Sequence, residues 1–250
     1  MPILVISDIH ANLIALESVL SAAGPVDAVW CLGDLVGYGP DPNECVERVR
    51  NLSNLTCIIG NHDSAVLNQI DPYSFNSEAR YAIEWTQRTL NESSLSFLRD
   101  LPELVDTSET DNNFKHAITL AHGSPRQPVW EYLLDLHTAT QNFDYFDTAY
   151  CFVGHTHLPI IFHYPQDGVA ARPIVPESDT RIVLSPRAII NPGSVGQPRD
   201  RNPLASFMLY DPVQEILEYY RVPYDIQTVQ QRMKAAGLPD RHIRRLEAGW

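Results

Sequence analysis

Five short apolar runs in this chain each stop at a residue able to bind a cation, and that recurrence limits what the chain can fold into. Ile3 to Ser7 runs into Asp8-Ile9-His10, Ala28 to Leu32 into Gly33-Asp34, and Thr56 to Ile59 into Gly60-Asn61-His62-Asp63. Ala117 to Ala121 runs into His122-Gly123, and Ala149 to Val153 into Gly154-His155-Thr156-His157. Each run is short and β-prone and ends in glycine or a polar residue, which predicts a buried strand. Open α/β sheets place their ligands at the carboxyl edge of such strands. Asp, His and Asn delivered there suit a hard or borderline cation.

Helices separate the early strands. Leu13, Leu16, Leu20 and Ala23 recur at helical spacing behind Asn12, a plausible N-cap, and Gly24-Pro25 ends the helix. Strand, helix, strand at this spacing is a βαβ unit with a right-handed crossover. Gly37, Gly39, Pro40 and Pro42 make residues 35–42 a loop, predicted to form one wall of the site. Pro42 opens the next helix, whose apolar stripe is Cys45, Val46, Val49 and Leu52.

Residues 64–101 interrupt the alternation. Asn76 is placed to cap a helix over 77–90, Asn91-Glu92-Ser93 punctuates, and Leu95 to Leu101 reads as helical. This helical insertion is either a cap that restricts substrate size or part of the helical layer. Glu103 to Asp106 and Phe114 to Leu120 read as strands joined by a turn at Asp111-Asn112-Asn113, and Trp130 to Leu136 as a short helix. Beyond His157, Pro159–Tyr164, Arg181–Leu184, Ala188–Asn191, Ser206–Tyr210 and Glu215–Arg221 are strand-like runs, so this half forms antiparallel or mixed sheet. A helical tail begins at about 225, and the end carrying Arg241, Arg244 and Arg245 is expected to be solvated. The pattern predicts an α/β protein, a single domain over 1–250 with two stacked sheets flanked by helices.

Composition bounds the function. The chain has 250 residues, enough for one large α/β domain. It carries 31 acidic and 18 basic residues, a formal charge of −13 that opposes stable nucleic-acid binding. An anionic substrate would need local attraction, which bound divalent metals supply. No apolar stretch approaches the ~20 residues of a membrane span, and a strand starts almost at once, which points to a cytoplasmic protein. Cys31, Cys45, Cys57 and Cys151 lack Cys-x-x-Cys spacing and read as small buried hydrophobes.

Taken singly, the site residues have plainer uses. Asp8 or Asp34 alone could be a cap or turn carboxylate, and His122 alone a hydrogen-bonded core histidine. If the segment after the first strand is extended, Asp8 and His10 face one side and converge on one ion. The donor set holds nitrogen and oxygen and no thiolate.

Asp8-x-His10, Gly33-Asp34, Gly60-Asn61-His62-Asp63, His122-Gly123 and Gly154-His155-x-His157 resemble, in order, the five blocks of the calcineurin-like metallophosphoesterase superfamily. The likeness runs from residue 3 to about 210 and is strongest to its compact prokaryotic YfcE-like branch. It implies a four-layer αββα sandwich of two mixed sheets. It implies that Asp8, His10 and His157 hold one divalent ion, that Asn61, His122 and His155 hold a second, and that Asp34 bridges them. Manganese is expected first, with iron, zinc, cobalt or nickel also suited. The resemblance makes His62 the proton donor to the leaving oxygen and Asp63 the carboxylate that orients its ring. Asn191-Pro192-Gly193-Ser194-Val195-Gly196 resembles the family's closing block. Arg199 comes just after that block and Arg126 just after His122; each is a candidate phosphate clamp, with a surface salt bridge as the alternative use.

The implied activity is hydrolysis of a small phosphodiester, phosphomonoester or nucleotide by a metal-bridging hydroxide. The alternatives are a phosphoprotein phosphatase, a diadenosine-tetraphosphate-type nucleotidase, or a non-catalytic scaffold of the same fold. A scaffold should lack ligand or acid residues, and none is lacking. The partner is a small phosphorylated substrate, without a membrane; an oligomer is compatible with the sequence.

Overall fold

The computed structural model describes residues 2–107, 114–166 and 168–250. Two mixed six-stranded sheets lie face to face. The first contains β1 (Ile3–Ile6), β2 (Ala28–Cys31), β3 (Leu55–Cys57), β9 (Thr180–Val183), β11 (Ala205–Asp211) and β12 (Ile216–Val222), in the order β3-β2-β1-β11-β12-β9. The second contains β4 (Leu104–Asp106), β5 (Ile118–Ala121), β6 (Tyr150–Phe152), β7 (Pro159–His163), β8 (Arg172–Ile174) and β10 (Ala188–Pro192), in the order β4-β5-β6-β10-β7-β8. β1, β2 and β3 run parallel, as do β5, β6 and β10, so the strand ends that carry candidate ligands share one rim.

Strand alternation explains the layers. In β1, Ile3 and Val5 enter the core between the sheets, while Leu4 and Ile6 face the helices. The inter-sheet core is aromatic at its centre: Trp30 meets Phe152 at 5.4 Å and Tyr210 at 5.8 Å between ring centroids. On the outer side of the first sheet lie α1 (Leu13–Ala23), α2 (Pro42–Arg50), α4 (Ser77–Thr89) and α5 (Glu92–Arg99), each contributing to one apolar cluster. A separate cluster covers the second sheet and takes Ala139 from α6 (Leu136–Asn142) together with Phe143 and Phe146. The four cysteines are free and buried. No helix among the described residues is long and apolar enough to cross a membrane.

The N-cap at Asn12 forms as expected, with its side chain accepting from the Ala15 amide at 3.1 Å. Several boundaries differ. α5 starts at Glu92 because Asn91 is itself a cap, accepting from Ser94 N at 2.8 Å. The helix expected over 130–136 lies later, at α6, because Asp135 caps it through the Thr138 amide at 2.9 Å. Residues 130–135 are left as a loop. β8 is an exposed edge strand containing Pro173, a place where proline is tolerated and alternation is weak. The turn expected at 111–113 lies outside the described residues.

The largest difference is at the C-terminus. α7 (Ile226–Ala235) and α8 (Asp240–Ala248) pair with each other. Val229, Met233, Leu238 and Leu246 form a buried cluster with Tyr38, Ala79 and Ala82. The tail is therefore no solvated end; it packs on the 35–42 loop and on α4.

Candidate metal centre

All the expected ligands sit just past strand ends. Backbone hydrogen bonds tie their loops together: His10 N to Asp34 O at 2.9 Å, Gly154 N to His122 O at 2.8 Å, and Gly196 N to Asp8 O at 2.9 Å. The Asn191–Gly196 block acts as a brace. Asn191 Nδ2 donates to the Gly154 carbonyl at 2.6 Å, and Ser194 Oγ donates to the Asp8 carbonyl at 2.8 Å.

Five of the seven expected ligands have left-handed backbone: Asp8 (φ 54°), His10 (49°), Asp34 (53°), His155 (66°) and His157 (60°). Such angles are costly for non-glycine residues and cluster at functional sites. They correct the extended-segment premise. Asp8 and His10 converge because both are left-handed, with Asp8 Oδ1 3.9 Å from His10 Nε2. Glycine is required next to them: a Cβ at Gly60 would overlap the Asp34 side chain and amide.

The side chains gather into overlapping groups. Asp8, His10 and His157 form one, and Asp34, His122 and His155 form another, each with potential ligand atoms within 4.8 Å. Asp34 stands between them, its Oδ2 3.6 Å from His10 Nε2 and 3.4 Å from His122 Nε2. Asn61 joins through Oδ1, 3.1 Å from His122 Nε2. His155 and His157, two residues apart, divide between the groups. All seven residues are buried.

Three imidazoles are pinned from behind. His10 Nδ1 meets the Val36 carbonyl at 3.1 Å, His122 Nδ1 that of Leu32 at 2.7 Å, and His157 Nδ1 that of Gln197 at 2.6 Å. A carbonyl only accepts, so each Nδ1 carries the hydrogen, and Nε2 of a neutral ring keeps its lone pair. His155 is reversed: Nε2 faces the Trp130 carbonyl at 3.1 Å, leaving Nδ1 for the centre. Burial holds His10, His155 and His157 well below the usual histidine range, so they are neutral.

The two carboxylates differ in how the surrounding groups satisfy them. Burial pushes Asp8 upward, partly offset by His122, and its Oδ1 is enclosed without a hydrogen-bond partner. Burial alone would raise Asp34 as well, but His122 and His62 outweigh it and hold the carboxyl well below its ordinary value. His122 responds in the opposite sense. Burial lowers it, yet the Asp34 charge and hydrogen bond win and push it to about 9. The neutral imidazoles of His10, His155 and His157, an orphaned carboxylate oxygen and a nitrogen–oxygen donor set fit bound divalent transition ions, and a dication beside Asp34 would displace the His122 proton.

His62 is buried beside this centre, its amide donating to Asp34 Oδ1 at 2.8 Å. It stands in one group with His10 and Asp34, within the same 4.8 Å. Burial, partly offset by Asp34, lowers its ring to about 4, and its Nδ1 has no partner. Asp63 does not reach that ring. Its oxygens accept from Val36 N at 3.1 Å and Gly60 N at 3.0 Å, so it caps α3 (Asn61–Val66) and pins the 35–42 loop. The proximity in sequence misled because the helix start turns Asp63 back toward Gly60.

The arginines also part company. Arg126 is paired with Glu131 and bonded to Gln141. Arg199 lies at the centre's edge, its guanidinium 5.7 Å from the Tyr38 ring centroid. Aromatic rings missed as site components complete the walls. Tyr38 meets His10 at 4.6 Å and His62 at 4.4 Å, Phe75 meets His62 at 5.1 Å, and Tyr132 meets His155 at 3.7 Å. Phe75 lies between the 3₁₀ turn Pro72–Ser74 and α4. The 64–101 segment thus supplies both a wall here and part of the helical layer.

A family model for the calcineurin-like phosphoesterase superfamily domain matches residues 1–215. A solved metallophosphoesterase from Sphaerobacter thermophilus is 45% identical, with a TM-score of 0.87 over 100% of this chain and 99% of that one. An uncharacterised protein from Methanocaldococcus jannaschii is 36% identical over 95% of this chain and 94% of its own length. A symmetrical bis(5′-nucleosyl)-tetraphosphatase of Baumannia cicadellinicola is 31% identical over 50% of this chain and 42% of its own.

Proposed function

Because the chain belongs to the calcineurin-like phosphoesterase superfamily, we propose that it is a dinuclear-metal hydrolase of small phosphate esters: a phosphodiester, a phosphomonoester or a nucleotide. The observation that carries this is the place of Asp34, within 3.6 Å of His10 and 3.4 Å of His122 and so common to both ligand groups. Asp8, His10 and His157 would hold one ion, and Asn61, His122 and His155 the other, with manganese the first candidate. When bound, such a pair lowers the pKa of water and neutralises charge on phosphoryl oxygens.

The remaining work falls to the chain's own groups. Carbonyls of Val36, Leu32 and Gln197 fix three ligand rings in the tautomer that leaves Nε2 free. Arg199 binds phosphoryl oxygens by charge-assisted hydrogen bonds. His62, whose ring stands in one group with His10 and Asp34, gives its proton to the leaving oxygen. A phosphoryl dianion beside it favours the protonated ring, opposing the effect of burial. Tyr38 and Phe75 keep water from its flanks.

A nucleotide is the reading best supported within this class. Tyr132 packs at a tilt against His155 yet is 44% exposed, which offers a ring face to a base. The test is a panel of phosphomonoesters, phosphodiesters, nucleotides and a phosphopeptide, assayed with and without added Mn²⁺. Hydrolysis of small esters that needs metal supports the proposal. Turnover of the phosphopeptide alone, or none at all with metal bound, overturns it.

A further inference from the structure

Arg199 and Arg245 converge on one acceptor: Gln197 Oε1 is 2.9 Å from Arg199 Nη2 and 3.3 Å from Arg245 Nη1. Neither guanidinium has a carboxylate partner among the described residues. Shortage of acid does not explain this, since the chain has 31 acidic and 18 basic residues. Other arginines find theirs, including Arg241 with Glu78 and Arg244 with Asp240 on the same helix as Arg245. Two like charges side by side and partly buried repel, and Arg245 is lowered by burial and then by Arg199.

Donors around them are also unused. The Nε atoms of Arg199 and Arg245 and the Nε2 of Gln197 are all enclosed without hydrogen-bond partners. Gln197 is 1% exposed, and its main-chain carbonyl receives His157 Nδ1 at 2.6 Å, so this cluster is fixed to the candidate metal centre. Arg245 is held in place by α8, which buries Leu246 against Val229 and Met233. His242, one turn earlier on α8, packs on Tyr38 at 4.5 Å.

We propose that Arg245, Arg199 and Gln197 form a second anion subsite, for a phosphoryl group linked to the one being cleaved. The substrate class is then a molecule with phosphates in a chain, such as a nucleoside polyphosphate. This rests on the phosphoesterase reading above. Arg199 lies between the two positions and serves both. Two adjacent guanidiniums without a carboxylate partner match the doubled charge of linked phosphates.

The test is calorimetric binding of inorganic phosphate and inorganic tripolyphosphate to the metal-loaded protein at fixed free metal. Arg245→Ala should weaken tripolyphosphate about 10- to 100-fold and phosphate by less than about threefold. Arg245→Lys keeps charge and helix packing but loses the fork, so it should fall between wild type and alanine. Arg244→Ala, on the exposed face of α8, should match wild type. For a nucleoside triphosphate substrate the Michaelis constant should rise in Arg245→Ala more than for p-nitrophenyl phosphate, with kcat held within about twofold.

Equal weakening of both anions, or of neither, overturns the subsite. If Arg245→Ala unfolds, Arg245→Lys decides the matter by the same comparison. Binding separates this proposal from the parent one. A protein that hydrolyses p-nitrophenyl phosphate but shows no Arg245 effect keeps its activity and loses the subsite. One that binds tripolyphosphate through Arg245 but hydrolyses nothing keeps the subsite and loses the activity.

Discussion

His10 Nε2 and His157 Nε2 face each other at 3.1 Å, although each ring gives its Nδ1 hydrogen to a carbonyl. Two acceptor lone pairs at that distance repel. Burial disfavours protonating either ring, so a proton is a poor mediator. A cation beside both nitrogens relieves the repulsion, and Asp8 Oδ1, without a hydrogen-bond partner, lies 3.3 Å from His157 Nε2 to serve it.

Metal removal should therefore abolish hydrolysis, and Mn²⁺ or a similar ion should restore it. Asp34→Ala should release more metal than His157→Ala, because Asp34 touches both groups. Its activity loss should exceed about 100-fold, beyond what removing a mere orienting group costs. Elemental analysis beside the assay checks this; full activity with no bound transition metal sinks the two-metal reading.

His62→Ala should slow alkyl phosphate esters by about 10²–10⁴-fold and p-nitrophenyl esters much less, since a nitrophenolate leaves without a proton. Bound metal should stay near the wild-type level. Loss of a metal would make His62 a ligand. Equal slowing of both esters with metal intact would make it a phosphoryl-binding group.

Asp63→Asn should act on folding rather than on proton transfer. The change weakens the hydrogen bonds that Gly60 and Val36 donate to this carboxyl at the start of α3. Urea denaturation should show a loss of about 1–2 kcal/mol. A leaving-group dependence like that of His62→Ala would return Asp63 to the role of orienting the ring.

The two arginines near the ligand loops should separate cleanly. Arg199→Ala should raise the Michaelis constant by roughly 10- to 100-fold, the size of a lost charge-assisted hydrogen bond. Arg126→Ala breaks a pair with Glu131 instead, and the Michaelis constants of several substrates should not move. A raised constant for Arg126→Ala would refute that assignment.

Stability should fall in acid partly through Glu215. This carboxylate is 4% exposed and receives Lys115, His116 and the Tyr150 hydroxyl, the last at 2.9 Å. Burial raises its affinity for a proton, but those hydrogen bonds outweigh it and hold the group below its ordinary 4.5. Its contribution is complete above that value and is lost as pH falls through the lower folded one. In denaturant melts, the gap between wild type and Glu215→Gln should be widest near neutrality and narrow steadily below the unshifted 4.5. A gap independent of pH would exclude the carboxylate's charge as the cause.

Much of the fold was legible because it depends on local patterns. Short β-prone runs, helical stripes and caps such as Asn12 and Asn76 act over a few residues. The site's donors were legible for a related reason: five strands in two parallel sets must end on the same rim, so the residues just past each strand end meet one another there. Sequence therefore determined which residues gather and on what scaffold.

Tertiary structure alone decided how they are used. Asp8 and His10 converge through left-handed backbone (φ 54° and 49°), a conformation Asp and His tolerate better than most residues but that only the loop's contacts with distant segments select. Asp63 caps its own helix although it adjoins His62, because orientation within a helical turn outranks adjacency in the chain. Arg245 reaches Gln197 across 48 positions only because α8 folds back over Tyr38. The order of residues sets local geometry within a turn or a strand. Contacts between distant segments depend on how those pieces dock, and only the docked whole shows which charges are left unpaired.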